Sequence, residues 1–156
     1  GIEPEAGKWM NESGRLLAIL ENEFWDGRKF VSKDAQTGEI IETGVTASLL
    51  PVILGKRLRE DIVNAVVNRL ENEDEFWKDI SPVSCLLLIG LSNAGKKEFA
   101  SKIAERYCDI ICKAVENKAD KGKIENKETG QNAVKELTSD MAAAFLITVS
   151  YVLGEE

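Results

Sequence analysis

The stretch Cys85–Phe99, CLLLIGLSNAGKKEF, decides between two folds. Read as a strand running into Gly90, Gly95 and Lys96, it imitates the phosphate-binding loop of a nucleotide-binding α/β protein. That loop needs Ser or Thr directly after its lysine to hold magnesium, and the residue here is Lys97. The run Asn117-Lys118-Ala119-Asp120 imitates a guanine-specificity motif, yet it follows by only about two dozen residues, too few for the strands and helices of a doubly wound sheet. Just upstream, Ser81-Pro82 reads as a helix cap followed by proline at the first helical position. Val83 to Leu91 is therefore expected as a buried helix, and a nucleotide-binding protein is the disfavoured reading.

Working outward from that helix, the rest of the chain is also helical in pattern. From Pro4, the residues Trp9, Leu16, Leu17, Leu20 and Phe24 recur at helical spacing, with an end near Trp25. Lys29 to Thr43 holds two short β-prone runs around Gln36-Thr37-Gly38, a hairpin signal. Gly44 and Pro51 punctuate a helical turn at Ala47 to Leu54, and Gly55 separates it from a helix over Leu58 to Leu70. Phe99, Ile103, Tyr107, Ile110 and Ala114 step through a long helix that ends in Lys118 to Lys123. A turn at Glu128-Thr129-Gly130 precedes a last helix carrying Leu137, Met141, Phe145, Thr148 and Val152 on one face. Ala142, Leu146, Ile147 and Leu153 make its later turns apolar nearly all round, as in a helix buried between neighbours. The expected fold is all-α: residues 1–156 form a single helical domain, a partial (α/α) toroid of helical hairpins with one or two small β-hairpins.

Composition narrows the chemistry. With 44% hydrophobic and 30% charged residues, the 156-residue chain is of globular type. A net charge of -7 repels phosphate backbones and anionic membranes, so no nucleic acid and no membrane is expected as a partner. No apolar run is long and uninterrupted enough to cross a bilayer. There is no histidine, which removes Ser-His and Cys-His nucleophilic catalysis. The three cysteines, Cys85, Cys108 and Cys112, are an odd number and read as reduced, buried thiols of a cytoplasmic protein, with no metal site and no cofactor implied. Any catalysis must rest on carboxylates.

Several pieces, in order, resemble the C-terminal part of the α/α-toroid glycoside hydrolases of the amylo-α-1,6-glucosidase, trehalase and processing-glucosidase type. These are Phe24-Trp25-Asp26 with Phe30, Asp34 and Thr37-Gly38-Glu39; Ala47 to Pro51; Ile53 to Leu58; and Leu70 to Trp77. Leu88, Gly90-Leu91, Gly95 and Ala100 continue the pattern, followed by Ile103 to Asp109, Gly122 to Asn126, and Thr129-Gly130. The similarity spans roughly Leu16 to Leu153. Two departures stand out. The family's glycine- and aromatic-rich loop with its Tyr-Trp-Arg-Gly type motif is missing, because Phe76-Trp77 runs almost directly into Ser81-Pro82. The half of the toroid that supplies the general-acid aspartate is also not in this sequence.

The resemblance implies hydrolysis of α-glucosidic linkages in glucans or oligosaccharides with inversion, which needs an acid and a base carboxyl group about 6.5–9.5 Å apart. Glu125 falls where the family's base lies, and the alternative is a solvated loop acid among Glu116, Asp120 and Glu128. Asn126 and Trp77 fall at substrate-binding positions. An indole suits a pyranose face, but Trp25 and Trp77 each follow Phe at a helix end, where aromatic pairs also serve core packing. The implied partners are a carbohydrate and either a second copy or the missing half of the parent protein, joined through the last helix and the first. The rival reading is a non-catalytic helical scaffold or interaction domain derived from the same fold.

Overall fold

The computed structural model describes residues 3–78, 80–120 and 138–154. Helix α1 spans Glu3–Glu23 and stops two residues short of Trp25, because the chain there turns to pair with itself. Gly27 takes φ +97°, Trp25 and Phe30 form an antiparallel bridge, and their rings meet at 5.0 Å. Strands β1 (Ser32–Lys33) and β2 (Ile40–Ile41) then pair antiparallel, Ser32 opposite Ile41. The connection is the expected Gln36-Thr37-Gly38 turn, with Gly38 at φ +74°. The Asp34 carboxylate accepts from the Gln36 and Thr37 N–H groups, a hydrogen-bonded turn of the kind Asp favours.

The expected helical turn after Gly44 divides in two. Helix α2 (Val45–Leu49) passes into a 3₁₀ segment, Leu50–Arg57, where Pro51, lacking an N–H, occupies the first turn and Gly55 at φ +58° kinks the far end. Helix α3 (Glu60–Asn72) buries Ile62, Val63, Val66, Arg69 and Leu70, and Glu60 and Asp61 complement its N-terminal dipole. The single turn α4 (Glu75–Lys78) presents Phe76 and Trp77 to the interior. Helix α5 (Ser84–Asn93) follows; α6 (Lys97–Asp120) buries Ala100, Ile103, Ala104, Tyr107, Cys108 and Ile111 at i, i+3, i+4 spacing. Of the expected α6 stripe, Ile103 and Tyr107 are buried, while Phe99, Ile110 and Ala114 lie half-buried beside it.

Helix α7 (Ser139–Thr148) begins at Thr138, whose hydroxyl accepts from the Met141 N–H, and widens into a π-helical turn over Val149–Leu153. Met141, Ala144, Thr148 and Val152 are buried, while Ala142, Ala143, Leu146, Ile147, Val149 and Tyr151 face outward. The expectation of a helix enclosed by neighbours is met on one flank only. Leu137 and the Glu128-Thr129-Gly130 turn lie outside the described residues. Among the described residues the architecture is all-α with one minor hairpin, and 22 buried residues, Phe30 and 21 from α2 through the π turn, form one hydrophobic cluster.

Packing centres on α5. Leu87, Leu88 and Leu91 have no exposed surface, and Gly90 lies against the 3₁₀ backbone so closely that an added Cβ would overlap the Val52 carbonyl and come within 2.6 Å of Ile53 Cα. Backbone cannot yield as a side-chain tip can. Replacing Gly90 by Ala is therefore expected to destabilise the fold by about 3 kcal/mol or more, the upper range of overpacking, read as a fall in the urea midpoint with unchanged slope.

Candidate functional site

The strand–loop–helix needed by a phosphate-binding loop is replaced by helix–turn–helix. The Ser84, Cys85 and Leu86 N–H groups donate to the Ser81, Pro82 and Val83 carbonyls, so helical turns begin directly at Pro82. Ser81 does not cap with its hydroxyl; its own N–H donates to Ser84 Oγ. At the other end Gly95 takes φ +86°, its N–H donates to the Ser92 carbonyl, and the Lys96 N–H donates to the Leu91 carbonyl. These two bonds are the glycine-terminated Schellman ending of α5. Gly90 is used for helix approach, Gly95 for helix termination, and the Gly95 and Lys96 amides bond to α5 carbonyls.

Trp77, open at the sequence level to a sugar-stacking or a core-packing role, sits in the core. It is 6% exposed, meets Phe76 edge to face at 5.1 Å, and carries the Arg106 guanidinium 4.0 Å above its ring. The ring offers no open face to a sugar. Arg106 comes from α6, far along the chain, and nothing in the local sequence around Trp77 announces it. A second long-range contact binds the Phe24-Trp25-Asp26 turn to α3: Arg28 and Arg69 both donate to the Glu73 carboxylate, at 2.7 and 2.9 Å. Asp26 accepts from the Arg28 and Lys29 N–H groups. Glu125 and Asn126, the other two candidate site residues, lie outside the described residues.

Cys85 and Cys108 are buried as expected and are poor nucleophiles, whereas Cys112, one turn on from Cys108, is exposed on α6. Burial pushes Cys85 up, and burial, with Cys112 and Asp109 nearby, pushes Cys108 up to about 11. Tyr107 is raised by burial and by the same cysteines, Cys85 and Cys108. Among the described residues no group of three or more His, Cys, Asp and Glu side chains is placed to hold a metal ion, and no helix is long and apolar enough to cross a membrane. Two concave surfaces border α1 among the described residues. A depression along the first turns of α1 is walled by that one helix, and a groove of about 170 Å³ lies between α1 and the 3₁₀ segment, lined by Ser13, Leu16, Leu17, Leu20, Leu54 and Arg57. Compared with known proteins, the chain matches no family model, no curated protein and no solved structure.

Two outcomes follow from this geometry. Trp77→Ala removes a buried indole and leaves Arg106 over a void, at an expected cost of about 3–5 kcal/mol in chemical denaturation. Acid should also loosen the fold. For Glu73 and Asp26 burial works against the charge, but the Arg69 and Arg28 donors of the one and the Lys29 and Arg28 amides of the other prevail, so both carboxyls are held below their ordinary range. A depressed folded-state value gives stability that is present above the unfolded-state carboxylate range and lost as pH falls through the folded value. Thermal melting between pH 7 and 3 should therefore show a falling midpoint below about pH 4.5, with a shallower fall in Glu73→Gln.

Proposed function

We propose that this chain is one part of an α/α-toroid glycoside hydrolase that acts in the cytoplasm on α-glucosidic linkages of glucans or oligosaccharides. In this reading its helices are a segment of the ring, Glu125 is the general base of an inverting reaction, Asn126 contacts the sugar, and the general acid comes from the half of the ring that this segment joins. No cofactor is required, since a carboxyl pair suffices for inversion.

The observation that carries the reading is the uncovered face of α7. Its outward residues Ala142, Ala143, Leu146, Ile147, Val149 and Ser150 are all uncharged, with Leu146 64% exposed, and the adjoining Tyr151 is 75% exposed. A ring of helical hairpins buries its inner helices on both flanks, so a segment cut from such a ring would expose this kind of surface. The ordered motifs from Phe24 to Thr129 support the same assignment. Trp77, under Arg106, would brace the wall of the site from behind.

The rival reading, a non-catalytic scaffold of the same descent, draws on that same Trp77: an indole closed off by Arg106, directly before the shortened Phe76–Pro82 connection, leaves one fewer platform for a sugar. Assays of maltose, trehalose and isomaltose hydrolysis by the intact parent polypeptide separate the two. The enzyme reading expects turnover that falls by about 10²–10⁴-fold in Glu125→Gln, the contribution of a general base. Turnover indifferent to Glu125→Gln removes the mechanism, and carbohydrate binding or protein assembly without turnover establishes the scaffold.

A further inference from the structure

Helix α1 is about 31 Å long at 1.5 Å per residue, and only its C-terminal half rests on the body. Leu17, Leu20 and Phe24 pack against the core cluster, while every residue from Glu5 to Asn11 is exposed. Three turns standing free are marginal in water on their own. Yet the apolar stripe does not stop where the body stops. Ala6, Met10, Ser13, Leu17, Leu20 and Phe24 are spaced 4, 3, 4, 3, 4, the seam of a coiled coil. Beyond the core the stripe is bare, with Met10 75% exposed and Trp9 on its edge 62% exposed.

We propose that the occupant of this seam is a second copy of the chain, the two α1 arms lying antiparallel across a two-fold axis. The sequence is self-complementary in one register. Ala6 lies against the side of half-buried Leu17 of the second copy that its own core leaves open, and Met10 lies beside its half-buried Ser13. On one edge Trp9 then covers Leu16 of the second copy. On the other, Gly7 meets Gly14, and both glycines have no atom within 4 Å of the Cβ position, so the helices can approach there. A two-fold contact repeats each of these pairs.

Charge agrees with the register. Between Ala6 and Leu17, the stretch that pairs, neither seam nor edges carry a charge, which suits a chain of net charge -7 that must meet its own copy. The first turn of the second copy, with its exposed Glu5, arrives at the groove between α1 and the 3₁₀ segment. There the Arg57 guanidinium donates to Ser13 Oγ at 2.8 Å and has no carboxylate partner among the described residues. Glu5 of the second copy supplies one. This pairing uses α1 and not α7, and stands independently of any glycosidase activity.

Sedimentation equilibrium tests it. The expected result is a dimer at micromolar concentration whose dissociation constant rises by at least about tenfold in Met10→Glu, with the melting temperature of the body unchanged because Met10 is 75% exposed. Arg57→Glu and Glu5→Arg should each weaken the dimer, and the double variant should restore it. Leu146→Lys, on the α7 face, should leave it intact. A chain that stays monomeric up to about 100 µM, a dimer indifferent to Met10→Glu, or one lost in Leu146→Lys instead, overturns the proposal; so does a double variant no tighter than its singles.

Discussion

The close backbone approach of α5 to the 3₁₀ segment sets the positions of the elements packed around α5. It needs two glycines, one on each side. Gly90 brings the α5 backbone onto Val52 and Ile53; Gly55, in the left-handed region, lets the 3₁₀ segment pass Asn93, whose Cβ would lie 2.9 Å from any Cβ at Gly55. With α5 pressed onto the backbone of Leu50–Arg57, its remaining circumference of Leu87, Leu88 and Leu91 is left for α6, α7 and the π turn to cover. A helix with apolar residues on all sides is stable only at a centre. The amphipathic helices α3 and α6 take the periphery because each has one face to hide.

Local pattern made much of this arrangement readable. The α3 and α5 helices fall within two or three residues of their expected spans, since Pro82, Gly95 and the 3.6-residue period act on neighbours in sequence. The turn at Gln36-Thr37-Gly38 was legible for the same reason. Where Pro51 stands, the pattern showed a helical turn but not its division, because a proline at that point fits either the first turn of a helix or a 3₁₀ continuation. Helix α1 ends two residues before the expected Trp25: Phe24 and Trp25 keep helical spacing, but the bridge to Phe30 and the Val31 N–H bond to the Phe24 carbonyl draw them out of the helix. Nothing in local spacing reveals Arg106 over Trp77 or Arg28 on Glu73, contacts between residues 29 and 45 apart in sequence. Of the candidate site, Trp77 was legible as an aromatic pair at a helix end, and its covering cation was not.

The resemblance to a phosphate-binding loop shows why glycine letters alone carry little chemistry. Glycine is required wherever backbone must come closer than a Cβ allows or φ must be positive, and phosphate approach is one such case among several. In CLLLIGLSNAGKKEF the first glycine answers a steric demand from Val52 and Ile53, some forty residues upstream by sequence number, and the second ends α5. Both demands are met without a ligand. A hydroxyl after the lysine is what would have marked the ligand, and Lys97 stands there instead.

The two uncovered apolar faces differ in kind. The α7 face is a broad, flat flank of a core helix, uncharged for its full width, and burying it calls for a surface of matching width, such as the next helices of a ring. The α1 face is a narrow stripe on a projecting rod, with glycines on one edge and Trp9 and Leu16 on the other, and a single helix fills it. A chain of net charge -7 meets its own copies against long-range repulsion that salt screens within about 10 Å at ordinary ionic strength. Attraction must then arise at contact, from apolar area freed of charge. Both faces satisfy that condition, and because they lie on different elements, one molecule can hold a partner on each.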